Sequence, residues 1–254
     1  MKTSTFSAKN RKIPLWAVVF WLLVWQIAAM LMHQPLLLVS PLETLQRLGS
    51  LILEPVFWKS IAFSVGKIML GFGLSCVLGI ALAALAYRFL PVRQLLSPLT
   101  ATIKAIPVAS FVILALLWVS SKNLSILISV MIGFPVIYLN TLTGLDSIDH
   151  KLVEMAQVFR VPLGKRIGVV YFSQVLPFLR SGLNVAVGLC WKSGVAAEVI
   201  GIPSGSVGQQ LYNAKVYLET ADLFCWTLVI VLLSVACEKL LMLLLNAAER
   251  WALR

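Results

Sequence analysis

Three ionisable side chains stand inside long apolar segments and are the first candidates for chemistry: Lys67, Lys192 and Glu198. A charged group inside lipid is costly, so it usually faces a water-filled cavity or pairs with another polar group. Lys192 and Glu198 are six residues apart, which on a helix separates them by about 240° around the axis and prevents them from pairing with each other. Two roles stay open for all three residues: lining a solute pathway, or forming structural ion pairs with other helices.

Three other charged residues in apolar segments, Arg180, Glu238 and Lys239, lie closer to the ends of their predicted helices. Long side chains near a helix end can bring their charged groups to the membrane surface. We expect these three residues to do so, or to pair, rather than to contact a solute. The positive charges of Lys67 and Lys192 favour an anionic solute.

Motifs for nucleotide binding and hydrolysis do not stand out. Gly-Lys pairs occur at residues 66–67 and 164–165, but neither has the preceding glycine and following Ser or Thr of a P-loop. The four cysteines lie inside apolar segments without a metal-ligand spacing, which is typical of small buried hydrophobic residues. We therefore expect a chain that is not an enzyme and binds no metal or cofactor.

The composition assigns the chain to a membrane. Hydrophobic residues make up 60% of it and charged residues 12%, whereas a soluble domain has about 25% charged residues. So few charged groups cannot cover a water-facing surface. The net charge of +11 comes from basic residues between apolar runs, where lipid headgroups explain them better than nucleic acid does. The sequence predicts an all-α integral membrane protein that contacts lipid and has no nucleic-acid partner.

Apolar runs bounded by charged and turn residues predict about six transmembrane helices in a single domain, residues 1–254. The first run is too long for a signal peptide and ends without a small-residue cleavage site, so we expect an uncleaved span. The predicted spans are residues 13–33, 58–87, 98–119, 123–143, 172–197 and 222–247.

The basic residues predict how these spans are oriented. With both termini in the cytoplasm, the outer segments hold only Arg47, Lys59, Lys122 and Lys215. Cytoplasmic loops carry an excess of Lys and Arg, and this orientation gives that excess. The cytoplasmic side then includes Lys2, Lys9, Arg11, Lys12, Lys151, Arg160, Lys165, Arg166, Arg250 and Arg254. The loop of residues 146–171 is therefore predicted to be cytoplasmic.

Two predicted helices carry small residues at every fourth position. Small side chains on one helix face allow backbones to approach closely in lipid, so these ridges predict a tightly packed bundle. The residues are Gly71, Ser75 and Gly79 in the second span and Gly182, Ala186 and Gly194 in the fifth.

The loop of residues 146–171 contains an amphipathic segment. Asp149 is a plausible N-cap, because its carboxylate can accept from free N–H groups of the first turn. Leu152, Met155, Ala156 and Phe159 then fall on one face at helical spacing. Pro162 prevents a smooth continuation of the helix. The polar face is not strongly basic, so docking to a partner protein fits better than lying on anionic lipid.

The same loop resembles the EAA loop of binding-protein-dependent ABC importer permeases. That pattern reads Glu-Ala-Ala, three residues, Gly, nine residues and Ile-x-Leu-Pro; here Glu154, Ala156 and the apolar pair Val170 and Phe172 fit it. Three positions depart from it, namely Met155, Arg160 and Ser173. The pattern has Gly at position 160, at a helix end where a positive φ favours a residue without a Cβ.

The resemblance extends over nearly the whole chain and points to the nitrate/sulfonate/taurine-type branch. It is carried by four further stretches: SPLETLQRL, KAIPVASFVILALLWV, FPVIYLNTLTGLDSID and GLCWKSGVAAEVIG. The resemblance implies a type I permease of a bacterial cell membrane that pairs with a second permease subunit, a homodimer being expected. It also implies that cytoplasmic ABC ATPase subunits hold ATP and Mg²⁺ and receive the EAA helix, while an extracytoplasmic binding protein delivers the solute. The solutes of that branch include nitrate, sulfonates, taurine and vitamin precursors.

Two other functions are alternatives to an importer permease. A self-contained secondary carrier or channel predicts internal repeats with broken helices at matching positions, and no convincing repeat relates residues 13–120 to 123–247. A membrane-embedded enzyme lacks candidate catalytic residues.

The predicted orientation can be tested with single cysteines introduced after the four native cysteines have been replaced. Positions 47 and 122 should react with a membrane-impermeant thiol reagent in intact cells, whereas position 164 should react only after the cells are opened. Reaction of position 164 from outside would reverse the topology.

Overall fold

A computed structural model describes residues 14–32, 34 and 36–252, and within them the chain is helical with no strand. The prediction of an all-α membrane protein is confirmed. The elements are α1 (Leu15–Met32), α2 (Pro41–Leu51), α3 (Pro55–Arg88), α4 (Leu90–Ala105), α5 (Val108–Ala115), α6 (Ser121–Asp146), α7 (His150–Val158), α8 (Leu163–Arg166), a π-helix (Ile167–Phe172), α9 (Ser173–Gly201), α10 (Val207–Val216) and α11 (Thr220–Ala252).

Five helical segments are long and apolar enough to cross a membrane: Leu15–Met32, Pro55–Arg88, Ser121–Asp146, Val170–Gly201 and Thr220–Ala247. They agree with five of the six predicted spans to within a few residues. Lys2, Lys9, Arg11, Lys12, Arg254 and the two end residues of the predicted span 13–33 lie outside the described residues.

The prediction of a continuous third span, residues 98–119, is wrong. The segment contains the second half of α4 and all of α5, and these two helices meet at an angle of 103° across Ile106 and Pro107. Proline has no N–H to donate, and its ring disfavours helical geometry at the preceding residue. Ile106 accordingly has an extended ψ of 127°. If the bent pair counts as one span, the structure has six.

Two short helices, α2 and α10, were not predicted as elements. Each begins with a serine cap: Ser40 Oγ accepts from the N–H of Glu43 at 3.2 Å, and Ser206 Oγ accepts from the N–H of Gln209 at 3.0 Å. The two serines each stand three residues before a Glu or Gln, which is the capping-box pattern. That pattern could have located both helices.

The core of the bundle consists of α3, α6 and α9, which pack along their lengths. Ile68, Ile137, Val187 and Trp191 are among the residues that these three helices bury together. By contrast, α1 has no buried residue. In the part of the chain that the structure describes, α3, α6 and α9 thus bury much of their surface against one another, while the apolar side chains of α1 stay exposed.

The core helices approach closely at the predicted small-residue ridges. A Cβ added to Gly71 would lie 2.6 Å from the Ile126 carbonyl oxygen, and one added to Gly182 would lie 2.7 Å from the Asn140 Cβ. Gly79 and Gly194 have similar contacts, with Ile137 and Ile68. Ser75 and Ala186 are fully buried on the same faces.

The two ends of the bundle carry different elements. At one end, called the cap end, lie α2, α10 and the start of α11; at the other, called the loop end, lie α7 and α8. Arg47 of α2 forms a two-pronged ion pair with Asp222 of α11, in which Nη2 lies 2.8 Å from Oδ2. Hydrogen bonding with Asp222 raises the pKa of the Arg47 guanidinium above its ordinary value. This pair fastens α2 to the last span.

A matched pair of substitutions tests the close packing of α3. Gly71→Ala forces its Cβ against α6, and overpacking of this kind costs about 1–3 kcal/mol. A cost of that size lowers Tm by roughly 2–4 °C for each kcal/mol in a chain of this length. Gly73→Ala is the control, because a Cβ there meets nothing within 4 Å and alanine favours the helix by about 0.5–1 kcal/mol. The measurement is thermal unfolding of the purified protein in detergent. Equal Tm values for both variants would contradict this account of the packing.

Candidate functional site

The α7 helix begins at Asp149, as the sequence suggested. The Asp149 carboxylate accepts from the backbone N–H of Lys151 at 2.9 Å. The backbone N–H of Asp149 itself donates to the Gln174 side chain at 2.9 Å. Because Gln174 stands at the base of α9, this contact joins the start of α7 to the long central helix.

The end of α7 explains the position at which Arg160 replaces the glycine of the EAA pattern. Arg160 has a left-handed φ of 53°, its N–H donates to the Gln157 carbonyl at 2.9 Å, and the N–H of Val161 donates to the Ala156 carbonyl at 2.9 Å. These two bonds form a Schellman cap. A residue with a Cβ in this conformation costs roughly 1–2 kcal/mol relative to the right-handed form. The turn that glycine favours is therefore built here with arginine.

The apolar face of α7 is mostly uncovered. Ala156 is buried, whereas Leu152 is 40% exposed, Met155 51% and Phe159 75%. Val158 is 78% exposed as well and enlarges the apolar surface. Single exposed apolar residues are common, but a contiguous group marks an interaction site. Glu154 is also exposed and adds one negative charge to this helix.

Beyond the turn at Pro162, the chain is helical from Leu163 through to Gly201. The segment Ile167–Phe172 is wound as a π-helix, a widening that often occurs at functional sites. At the same end of the bundle, Arg93 of α4 pairs with Asp146, the last residue of α6, at 3.1 and 2.8 Å. After the turn at Pro162, helical backbone thus connects the end of α7 to α9.

The three charged candidates in the spans lie in different surroundings. Lys67 is half-buried; its Nζ donates to the Asn123 side chain of α6 at 2.9 Å and lies 5.8 Å from the centre of the Phe63 ring. Lys192 is exposed on α9. Glu198 is fully buried. The structure does not bring the three together.

Lys192 lies on the one exposed stripe of an otherwise buried helix. Positions at spacings of three and four along α9 are exposed, which corresponds to a single helix face. The stripe consists of Ser181, Val185, Leu189, Lys192 and Ala196. The Lys192 side chain thus lies on a surface of the bundle that no other described residue covers.

Glu198 is enclosed by hydroxyl and N–H groups. Its Oε2 accepts from Ser64 Oγ at 2.6 Å and from the N–H of Gly208 at 3.3 Å. In this conformation no solute could reach it, so a role along a pathway would require this junction to open. Neither hydrogen-bond donor is a cation, so these contacts are not the structural ion pair that the sequence analysis also considered.

No group of three His, Cys, Asp or Glu side chains within the described ranges is arranged to hold a metal ion. Arg180, Glu238 and Lys239 line a groove between α9 and α11, together with Asn184 and Asn246. This groove lies in the half of the bundle nearer the loop end.

The described residues form a bundle of helices that can span a membrane, with an exposed amphipathic helix at one end, and this is the architecture of a multi-pass membrane protein. Residues 75–254 match the sequence profile of the family described as binding-protein-dependent transport system inner membrane component, and the chain belongs to that family. The resemblance to ABC importer permeases is confirmed.

Similar proteins come from the same branch of permeases. The chain is 26% identical to a permease protein named for aliphatic sulfonate transport, SsuC of Bacillus subtilis (strain 168), over 90% of this chain and 83% of that protein. It is 24% identical to the taurine transport system permease protein TauC of Escherichia coli (strain K12), over 89% and 84%. It is 28% identical to the formylaminopyrimidine transport permease protein ThiX of Halalkalibacterium halodurans, over 72% and 74%. The chain is therefore an importer permease subunit of the nitrate/sulfonate/taurine type.

Proposed function

We propose that this permease works as a homodimer in a bacterial cell membrane, with both termini and α7 in the cytoplasm. ATPase subunits, which would hold ATP and Mg²⁺, dock on α7, and a solute-binding protein docks at the cap end. The observation that carries this proposal is the exposed apolar face of α7, which continues through a short turn into the central helix α9.

The apolar face of α7 has the chemistry of a helix that inserts into a groove. Its four large apolar side chains are between 40% and 78% exposed; they belong to Leu152, Met155, Val158 and Phe159. Burial of one such side chain stabilises a complex by about 1.5–3 kcal/mol. Glu154 adds a negative charge that a basic residue of the partner can meet. A self-contained carrier has no use for such a surface, and this favours the importer.

For the solute we propose a small anion, such as a sulfonate. Lys192 lies exposed on the uncovered stripe of α9, and this stripe is the surface on which a second copy of the bundle could enclose a pathway. Similar permeases are named for aliphatic sulfonates and for taurine, both of which carry a sulfonate group. Lys67 is the second candidate, although its Nζ is engaged with Asn123.

Docking through α7 is tested by the double variant Leu152→Ala/Phe159→Ala. Loss of two apolar contacts should weaken association with the ATPase by at least about tenfold, since about 1.4 kcal/mol corresponds to one decade. The measurement is titration of the ATPase subunits onto permease in nanodiscs, together with uptake into proteoliposomes.

Two further variants control this test. Val216→Ala/Tyr217→Ala removes comparably exposed apolar side chains at the cap end and should leave ATPase binding unchanged. Arg160→Gly relieves the left-handed turn and should also bind normally. Normal binding and uptake by the Leu152→Ala/Phe159→Ala variant would refute docking through α7.

The role of Lys192 is tested by comparing Lys192→Ala with Lys192→Arg. If the positive charge contacts an anionic solute, the alanine variant should lose at least about tenfold in uptake, a charge-assisted hydrogen bond contributing about 1.5–3 kcal/mol. The arginine variant should retain most of the wild-type uptake, because it keeps the positive charge. The measurement is uptake of radiolabelled taurine or of an alkanesulfonate, chosen by which one raises the Tm of the cognate binding protein. Lys122→Ala is the control, since Lys122 is an exposed lysine at the start of α6. Uptake by Lys192→Ala at the wild-type rate would exclude the residue from the pathway.

A further inference from the structure

A buried junction at the cap end joins three helices through one carboxyl group. Glu198 of α9 is fully buried, and its Oε2 accepts from Ser64 Oγ of α3 at 2.6 Å and from the N–H of Gly208 in α10 at 3.3 Å. Ser64 Oγ in turn accepts from the N–H of Val207 at 2.9 Å. Two of the free N–H groups at the start of α10 are thus satisfied by side chains from the core of the bundle.

The junction depends on close contact between α10 and α9. A Cβ added to Gly208 would lie 2.5 Å from the Glu198 carbonyl carbon and 2.6 Å from the Val199 nitrogen. Glycine therefore allows the first turn of α10 to rest directly on the α9 backbone. The Glu198 carboxyl oxygen therefore lies at the N-terminus of α10, where the backbone N–H groups have no partner within the helix.

The same carboxyl group also adjoins α6. Ser125 of α6 is fully buried beside it, so side chains of three core helices meet the start of α10 at this junction.

We propose that Glu198 is a positioning residue that clamps α10 to α9 and α3, so that α10 moves with α9 during the transport cycle. The inference rests on the proposed function, in which α9 receives its movement from α7. Helix α9 joins the two ends of the bundle as one continuous element. Gln174, near the start of α9, bonds to the start of α7, and Glu198, near the end of α9, bonds to the start of α10. The clamp transmits movement driven by the ATPase to the cap end, where the solute arrives.

The clamp itself is tested by hydrogen–deuterium exchange of residues 207–216 in the full-length permease in nanodiscs. Glu198→Ala removes both accepted hydrogen bonds, and amide exchange of α10 should accelerate by at least about tenfold. Ser64→Ala should act in the same direction, because it removes the bonds to Glu198 and to Val207. Glu198→Gln keeps an oxygen acceptor at the same place and should exchange like the wild type.

The control is Ser75→Ala, which removes a serine equally buried on α3. The Ser75 hydroxyl donates to the Phe72 carbonyl at 2.7 Å and lies eleven residues along α3 from Ser64. Helix α10 of this variant should exchange like the wild type. The proposal would be overturned if α10 of Glu198→Ala exchanged at the wild-type rate. It would also be overturned if exchange of α10 accelerated as much in Ser75→Ala or in Glu198→Gln as in Glu198→Ala.

Coupling is tested by the same measurement on the permease–ATPase complex, with and without trapping by ATP and vanadate. In the wild type, trapping should change exchange both in residues 173–180 and in residues 207–216. In Glu198→Ala, the first change should remain and the second should disappear. The coupling would be overturned if α10 of Glu198→Ala still responded to trapping. It would also be overturned if residues 173–180 of the wild type responded while α10 did not. Failure of the proposed function looks different, because residues 173–180 would then not respond in the wild type.

Discussion

Contact between the backbones of α3, α6 and α9 is the constraint on which the other features of this protein depend. In lipid the hydrophobic effect does not drive helices together, so close packing and interhelical hydrogen bonds must do so. Glycines at positions 71, 182 and 194 bring neighbouring atoms to within 2.7 Å of where a Cβ would stand. Cys190 and Ser129 add a pair of hydrogen bonds between α6 and α9, at 3.4 and 3.2 Å.

The central position of α9 follows from this packing. Helix α9 is buried along most of its circumference and leaves one stripe exposed, with Lys192 on it. It begins beside α7 and ends beside α10, so the elements proposed to meet the ATPase and the arriving solute are attached to the same helix. The capped, short helix α7 and the carboxylate-bound start of α10 are the two attachments. Their hydrogen bonds differ in exposure: the bond to Gln174 is exposed, whereas the bonds of Glu198 are buried.

The exposed face of α7 shows how the chain divides its apolar residues between two environments. Apolar side chains on α1 face lipid, where their exposure has no cost, because lipid tails are themselves apolar. Phe159 and Val158 are as exposed as many of these residues, but they follow a polar loop at the end of the bundle. In water such a surface favours association with a partner. The same residue types therefore indicate lipid contact in one element and protein contact in the other.

Much of the fold was predictable from the sequence, because apolar length and capping chemistry are local properties. Five spans, the Asp149 cap and the apolar face of α7 could all be read from residues that lie close together in the chain. The effect of each proline inside a predicted span could not be read in this way. Pro98, Pro135 and Pro177 stand inside helices, while Pro107 divides α4 from α5, since neighbouring helices decide whether a freed carbonyl is satisfied in place.

The hydrogen-bond partners of Glu198 could not be predicted from the sequence either. Ser64 is 134 residues away in the chain, and only the tertiary structure shows that its hydroxyl and the start of α10 enclose this carboxyl group. The sequence determined the class of the protein, its spans and the helix at its loop end, because these depend on composition and on spacing within one element. The tertiary structure decided which charges are exposed and which are enclosed, because a buried charge is defined by the groups that surround it, and those come from distant helices.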